Sequence, residues 1–222
     1  IPIIRNENWC TSGNIALFEA CLAVASGMFD IVLALGVEKL KDTGYAGLGT
    51  GRGMSPVLEA RRTAPGSFGL IAKRYFKQCG LSNEEGKELI GKIAVKNHDH
   101  GSLSPKAHFH NKITLEKAVK APIIAWPLGL FDCCGICDGA SAAIMCRTED
   151  AKRYRPKGDY ITVKASAIAC GPGWGKERVN YGYTVWEETE AAAKQAYAMA
   201  GIKNPRKELS MAEVHDCFSI AE

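Results

Sequence analysis

The stretch that most restricts the fold lies between residues 15 and 37. Over residues 15–25 the apolar positions Ile15, Leu17, Phe18, Cys21, Leu22 and Val24 fall at helical spacing, behind the capping types Thr11, Ser12 and Asn14. A helix is therefore expected to start immediately after Cys10 and to end at Gly27. Next, Asp30-Ile31-Val32-Leu33-Ala34-Leu35-Gly36-Val37 is a continuous apolar run bounded by turn signals. That pattern predicts a buried strand of a parallel sheet. One helix feeding one buried strand is an α/β signature.

The opening residues up to Trp9 read as a strand. Residues 44–66 break into glycines and prolines, and a helix is expected over 68–78. Ser82-Asn83-Glu84-Glu85 is a capping box ahead of a helix with Leu89, Ile90, Ile93 and Ala94 on one face. Residues 98–111 read as polar loop and 114–119 as a short helix. This middle section has the character of an insertion that covers a site. Residues 139–146 and 161–170 read as strands on either side of the basic linker 152–157. Gly171-Pro172-Gly173-Trp174-Gly175 is a loop, residues 187–200 an alanine-rich helix, and residues 211–214 a short strand running into His215-Asp216-Cys217-Phe218.

Composition excludes several function classes. The 222 residues are 46% hydrophobic and 23% charged, an ordinary globular balance, with a net charge of +4. No Lys/Arg run exceeds two residues, which argues against a nucleic-acid partner. The longest apolar stretches, 31–37 and 121–130, are too short to span a bilayer, and the start lacks the regions of a signal peptide. Nine scattered cysteines, an odd count, read as reduced thiols and predict a cytoplasmic protein.

Cys10 is the leading candidate for chemistry. A thiol between strand and helix lies at the positive end of the helix dipole, which supports the thiolate. Small neighbours at Thr11, Ser12 and Gly13 leave room for a substrate, and the nearby backbone N–H groups suit an oxyanion. A structural cysteine is the alternative. His215, at the end of the last expected strand, suits proton transfer or the orientation of a water, with Asp216 to fix its tautomer; a satisfied surface histidine is the alternative. Cys133-Cys134-Gly135-Ile136-Cys137 contains a C-x-x-C without a second pair at zinc spacing, so packing is the expected role. His98-Asp99-His100 and His108-Phe109-His110 bring four imidazoles into a short span, each pair sharing a face if the chain is extended. Without accompanying carboxylates or cysteines at metal-site spacing, no metal site is assigned. Gly47, Gly49, Gly51 and Gly53 alternate but form no G-x-G-x-x-G fingerprint, and read as a loop.

Three segments in order resemble thiolases. Asn6-Glu7-Asn8-Trp9-Cys10-Thr11-Ser12-Gly13 with Gly27-Met28-Phe29-Asp30 and the run through Leu40 resembles the nucleophile segment of the family. The closest likeness is to the sterol-carrier-protein type and the archaeal and bacterial acetyl-CoA acetyltransferases. Asp132-Cys133-Cys134 through Asp138-Gly139-Ala140-Ser141 resembles the strand motif before the linker between the two family halves. Glu213-Val214-His215-Asp216-Cys217-Phe218 resembles the H-D-C-F motif of this branch. Ser104-Pro105-Lys106-Ala107 is similar to a family N-P-x-A stretch with Ser in place of Asn, and receives no site role.

The resemblance implies a layered α/β/α/β/α fold with mixed sheets and a helical loop-domain insertion. Residues 1–43 and 131–150 would belong to the N-terminal half, 44–130 to the loop domain, and 158–222 to the start of the C-terminal half. The family pattern continues with a G-H-P histidine and a C-x-G cysteine that are not found here, so the span is expected to be an internal portion, incomplete at both ends. By resemblance, Cys10 accepts an acyl group from acyl-CoA as a thioester, and His215 positions the water that stabilises an enolate oxygen. Coenzyme A and acyl-CoA are then substrates, with no covalently bound cofactor. A homodimer or tetramer is implied, and some members of this branch also bind a small zinc-ribbon and OB-fold partner protein. Residues 44–64 and 126–130 are the expected walls of an acyl pocket. Two other readings stay open: a non-catalytic thiolase-like scaffold that binds acyl-CoA or a partner, and a metal-binding module using residues 98–110.

Overall fold

The helix expected behind Cys10 forms, and it ends at the glycine that allows it to. The structure, a computed structural model, describes residues 2–42, 63–171 and 182–222. In chain order its elements are α1 (Ser12–Ala25), β1 (Ile31–Lys39), α2 (Ala64–Gln78), α3 (Asn83–Leu103), α4 (Leu115–Val119), β2 (Ile123–Ala125), β3 (Leu128–Gly129), β4 (Asp138–Cys146), α5 (Ala151–Tyr154), α6 (Glu187–Ala200) and α7 (Pro205–Glu208). Helices and strands are mixed along the chain, which is the expected α/β class. The chain divides into two units: Ile1–Lys39 with Asp138–Trp174 and Trp186–Ser210, and Leu40–Cys137 with Gly175–Val185 and Met211–Glu222. Among the described residues no helix is long and apolar enough to cross a membrane.

In the first unit α1 packs on β1. Gly27, at φ +74°, closes α1 in the left-handed region, and its N–H reaches Val24 O at 3.1 Å. A Cβ added at Gly36 on β1 would sit 3.9 Å from Gly13 Cα. Two glycines thus let the first turn of α1 approach the strand closely. β1 pairs antiparallel with β4, in register from Ile31↔Cys146 to Lys39↔Asp138. Just beyond that first pair, Arg147 Nη2 donates to Asp30 Oδ1 at 2.8 Å and fixes the register.

The expectation of a buried parallel strand is corrected on both counts. An apolar run reports burial and carries no information on the direction of the neighbour. β4, rich in small residues, supplies an antiparallel partner. The helix covers the face of Val32, Ala34 and Gly36, while Leu33 and Val37 on the alternate positions are 58% and 69% exposed. Three other strand expectations also fail. The opening residues up to Trp9, residues 161–170 and residues 211–214 form no ladder with any described residue, and β-branched character without a partner does not make a strand. The strand at 139–146 and the helix at 187–200 form as expected.

In the second unit α2 starts from Thr63, whose Oγ1 accepts from Gly66 N–H at 3.2 Å. The capping box of α3 is complete: Glu85 N–H donates to Ser82 Oγ at 3.1 Å and Ser82 N–H to Glu85 Oε2 at 2.8 Å. These bonds hold the Glu85 carboxyl below its usual range. From this start α3 runs to Leu103, so the expected loop at 98–111 is corrected. Polar residues from His98 onward suggested a loop, yet nothing before Gly101 breaks a helix already nucleated. The expected short helix forms as α4, capped by Thr114 Oγ1.

Phe68, Ala72 and Phe76 on one face of α2 meet Ile90 of α3, Leu128 of β3 and Phe218 in the core of this unit. The Phe76 ring occupies the space above Gly86, where a Cβ would come within 2.4 Å of it. In an open helix Gly→Ala gains about 1 kcal/mol. Here Gly86→Ala is expected to lower stability instead, by about 1–3 kcal/mol from overpacking. The urea unfolding midpoint measures it.

Candidate active site

Cys10 sits on the turn that enters α1, and the turn is built from its own side chains. Ser12 Oγ accepts from Asn8 N–H at 2.7 Å and donates to Trp9 O at 2.8 Å. Thr11 N–H reaches Asn8 O and Ser12 N–H reaches Trp9 O, both at 3.1 Å. Glu7 Oε1 takes Trp9 N–H at 3.3 Å. Wrapping the chain this tightly forces Trp9 to φ +53°, a left-handed conformation that an aromatic residue rarely adopts. The product is an exposed Cys10 immediately ahead of the helix. The N–H groups of Gly13 and Asn14 face no backbone acceptor among the described residues. Space beside Gly13 is open. A nucleophile here would have donors for an oxyanion within the same turn.

His215 belongs to the second unit and Cys10 to the first, and each is described within its own unit. His215 is exposed, while the residues after it run inward. Cys134 N–H donates to Cys217 O at 3.1 Å, and Cys133 and Phe218 form an antiparallel bridge. Phe218, 5% exposed, stacks on Phe68 with ring centroids 4.4 Å apart. The Asp216 carboxylate accepts from Asn97 Nδ2 on α3. Burial pushes the Asp216 carboxyl up, and the Asn97 bond opposes that.

The 3-10 turn Leu130–Asp132 precedes Cys133, and a buried ion pair anchors it. Lys87 on α3 and Asp132 are 4% and 1% exposed. Asp132 Oδ2 accepts from Lys87 Nζ and, at 2.8 Å, from Gly129 N–H. Oδ1 is buried with no hydrogen bond. Beside it, burial first and the Asp132 charge second push the Cys133 thiol up to about 11, so it stays protonated at neutral pH. Packing is thus the role of Cys133, as expected of the C-x-x-C stretch, whereas Cys134 and Cys137 are exposed.

The first imidazole pair does not share a face. His98 and His100 lie two apart on α3 and so point different ways. His98 Nδ1–H donates to Asn111 O at 2.9 Å, and its ring stacks on Phe109 and meets Phe131 edge-on. Among the described residues no group of three or more His, Cys, Asp or Glu is placed to hold a metal ion. Of the expected acyl-pocket walls, Leu128 is fully buried in the core, while Trp126 and Leu130 are about half exposed. Gly47, Gly49, Gly51 and Gly53, nearly all of residues 44–64, and the loop from Pro172 lie outside the described residues. Lys87, Asn97 and Phe218 were not singled out from sequence. The i, i+4, i+8 spacing of Phe68, Ala72 and Phe76 was the available signal for an aromatic partner such as Phe218.

Comparison with known proteins follows the same lines. The family model for the thiolase N-terminal domain matches residues 1–149. An acetyl-CoA acetyltransferase of Methanothermobacter thermautotrophicus is 36% identical over 222 residues, covering 99% of this chain and 55% of the relative. The chain therefore spans about half the length of the curated relatives it matches. Among solved structures, a monomeric SCP2-thiolase like protein type 1 from Mycobacterium smegmatis has TM-score 0.74 at 17% identity, over 94% of this chain and 44% of that one. An Ltp2-ChsH2(DUF35) aldolase has TM-score 0.63 at 25% identity, over 85% of this chain and 50% of that one.

The Lys87–Asp132 pair makes an energetic claim that can be measured. Removing one buried partner leaves the other charge uncompensated, at a cost of about 3–5 kcal/mol. Lys87→Met is expected to lose that much in chemical denaturation. Lys87→Met/Asp132→Asn, which removes both charges but keeps an oxygen for Gly129 N–H, is expected to regain most of it.

Proposed function

The chain belongs to the thiolase family, and on that premise we propose that it carries the nucleophile of a thiolase-type acyltransferase acting on 3-oxoacyl-CoA. The observation that carries this reading is the turn at Cys10: an exposed thiol beside two backbone N–H groups without backbone acceptors, at the start of a helix. Cys10 Sγ would attack the thioester carbonyl of an acyl-CoA. The oxyanion would be held by backbone N–H, and the CoA thiolate would leave to give an acyl-cysteine. In the carbon–carbon step His215 would position the water that stabilises the enolate oxygen.

The finer assignments belong to the same proposal. Coenzyme A and its acyl esters are the substrates, with no covalently bound cofactor. Residues 1–43 with 131–150 form the nucleophile half, 44–130 the loop domain over the substrate, and 158–222 the start of the second half. A homodimer or tetramer is the assembly, and nine scattered cysteines favour the cytoplasm. Likeness to an aldolase whose name joins two components supports a partner protein, and the one proposed is a small zinc-ribbon and OB-fold protein.

In the intact protein, iodoacetamide is expected to label Cys10 stoichiometrically, and acyl-CoA to block the labelling. Cys10→Ser is expected to lower kcat/KM for 3-oxoacyl-CoA cleavage by at least roughly 10³-fold. His215→Ala is expected to lower kcat by roughly 10²-fold, the scale of one lost oxyanion contact. Equal labelling of several cysteines without protection would overturn the assignment.

A further inference from the structure

Asn97 occupies a position that no role assigned so far explains. It lies on α3 between Lys96 and His98, and its side chain reaches a segment more than a hundred residues away. An amide NH₂ has two donor hydrogens. Asn97 Nδ2 donates to Asp216 Oδ2 and, at 3.0 Å, to Glu222 Oε2. Lys96 Nζ, one residue earlier, pairs with Glu222 Oε1. Two carboxylates of residues 216–222 are therefore gathered on α3 by one neutral amide and one ammonium. We propose that Asn97 is a positioning residue for His215, acting through Asp216, a role that rests on the reading of His215 as a group of the active site.

The division of labour along this segment supports the proposal. Residues 217 and 218 are fixed from the core, by the Cys134–Cys217 backbone bond and by Phe218 on Phe68. Residue 216 is fixed from α3, by Asn97. His215 is the next residue, exposed, and its backbone takes its direction from where Asp216 is held. The charged groups around this carboxylate are Glu222 and His215 on its own segment and Lys96 on α3, with His100 of α3 acting on Glu222. Without the amide, a half-buried carboxylate has no donor from α3, and the residue before it loses its bearing. Core packing holds the fold in this arrangement, and Asn97 sets a direction.

The test uses the intact protein and the variants Asn97→Leu, Asn97→Asp and His215→Ala. It follows 3-oxoacyl-CoA cleavage, the rate of Cys10 alkylation, and the ¹³Cε1 resonance of His215, assigned by its loss in His215→Ala. Asn97→Leu is expected to lower kcat by roughly 10- to 100-fold, the cost of misplacing a group by about 1 Å. KM should change less than about twofold, because the amide touches no substrate. Cys10 alkylation should be unchanged, and the His215 resonance should move while that of His110 does not. Asn97→Asp adds a third carboxylate to Asp216 and Glu222. It should be impaired at neutral pH and recover toward acid, where a shared proton restores an O–H donor; this variant keeps the test intact if Asn97→Leu does not fold. Wild-type kcat and an unmoved His215 resonance in Asn97→Leu, or an Asn97→Asp pH profile parallel to wild type, would overturn the proposal. Full activity in His215→Ala would instead remove the reading beneath it, a separate result from the resonance shift.

Discussion

The buried contact between Lys87 and Asp132 is the constraint on which the second unit depends. It joins α3 to the turn at Leu130–Asp132, which leads directly into the residues that pair with the His215 segment. Cys133 and Cys134 follow it directly, pair with Phe218 and Cys217, and so deliver the segment to the core. A buried pair of this kind is weak evidence for stability, because desolvation cancels most of the Coulomb gain. Its value lies in registration. Lys87 pairs with Asp132, and Asp132 Oδ2 also takes the Gly129 N–H, so helix, hairpin and turn share one arrangement.

Cys10 and His215 are positioned by opposite means. The turn at Cys10 is local: hydrogen bonds between residues 7 and 12 shape it, the left-handed Trp9 tightens it, and Gly13 and Gly36 seat its helix on β1. Most of its contacts are at short range along the chain. The placement of His215 is non-local, resting on α2 through Phe218, on α3 through Asn97, and on residues 133–134 through the backbone. Substitutions far from His215 in sequence can therefore reach it, whereas few outside residues 7–36 should reach Cys10. Short-range hydrogen bonds give a nucleophile rigidity against its own oxyanion donors.

That same contrast explains how much was legible in the sequence. The capping box at Ser82 and Glu85, the start of α1 behind Cys10, its end at Gly27, and the helix at residues 187–200 all rest on neighbours a few positions apart, and all formed. The direction of β1 was misjudged because an apolar run does not name its partner. Residues 98–103 were misjudged because polarity was read as loop when it marks the outer face of a helix. Cys10 and His215 stood out by their places at the ends of expected elements, and the resemblance of their motifs supplied their roles. Lys87 and Asn97 did not, since a lysine or an asparagine on a helix ordinarily faces water. Only the fold brings a carboxylate to each.

The proposed chemistry rests on Cys10 as the residue that carries the acyl group. Mass spectrometry of the intact protein, acid-quenched after incubation with acetyl-CoA, tests it most directly. One acetyl adduct is expected, located in the peptide containing Cys10 and removed by added coenzyme A. No adduct on Cys10, or acetyl groups spread over several of the nine cysteines, would contradict it.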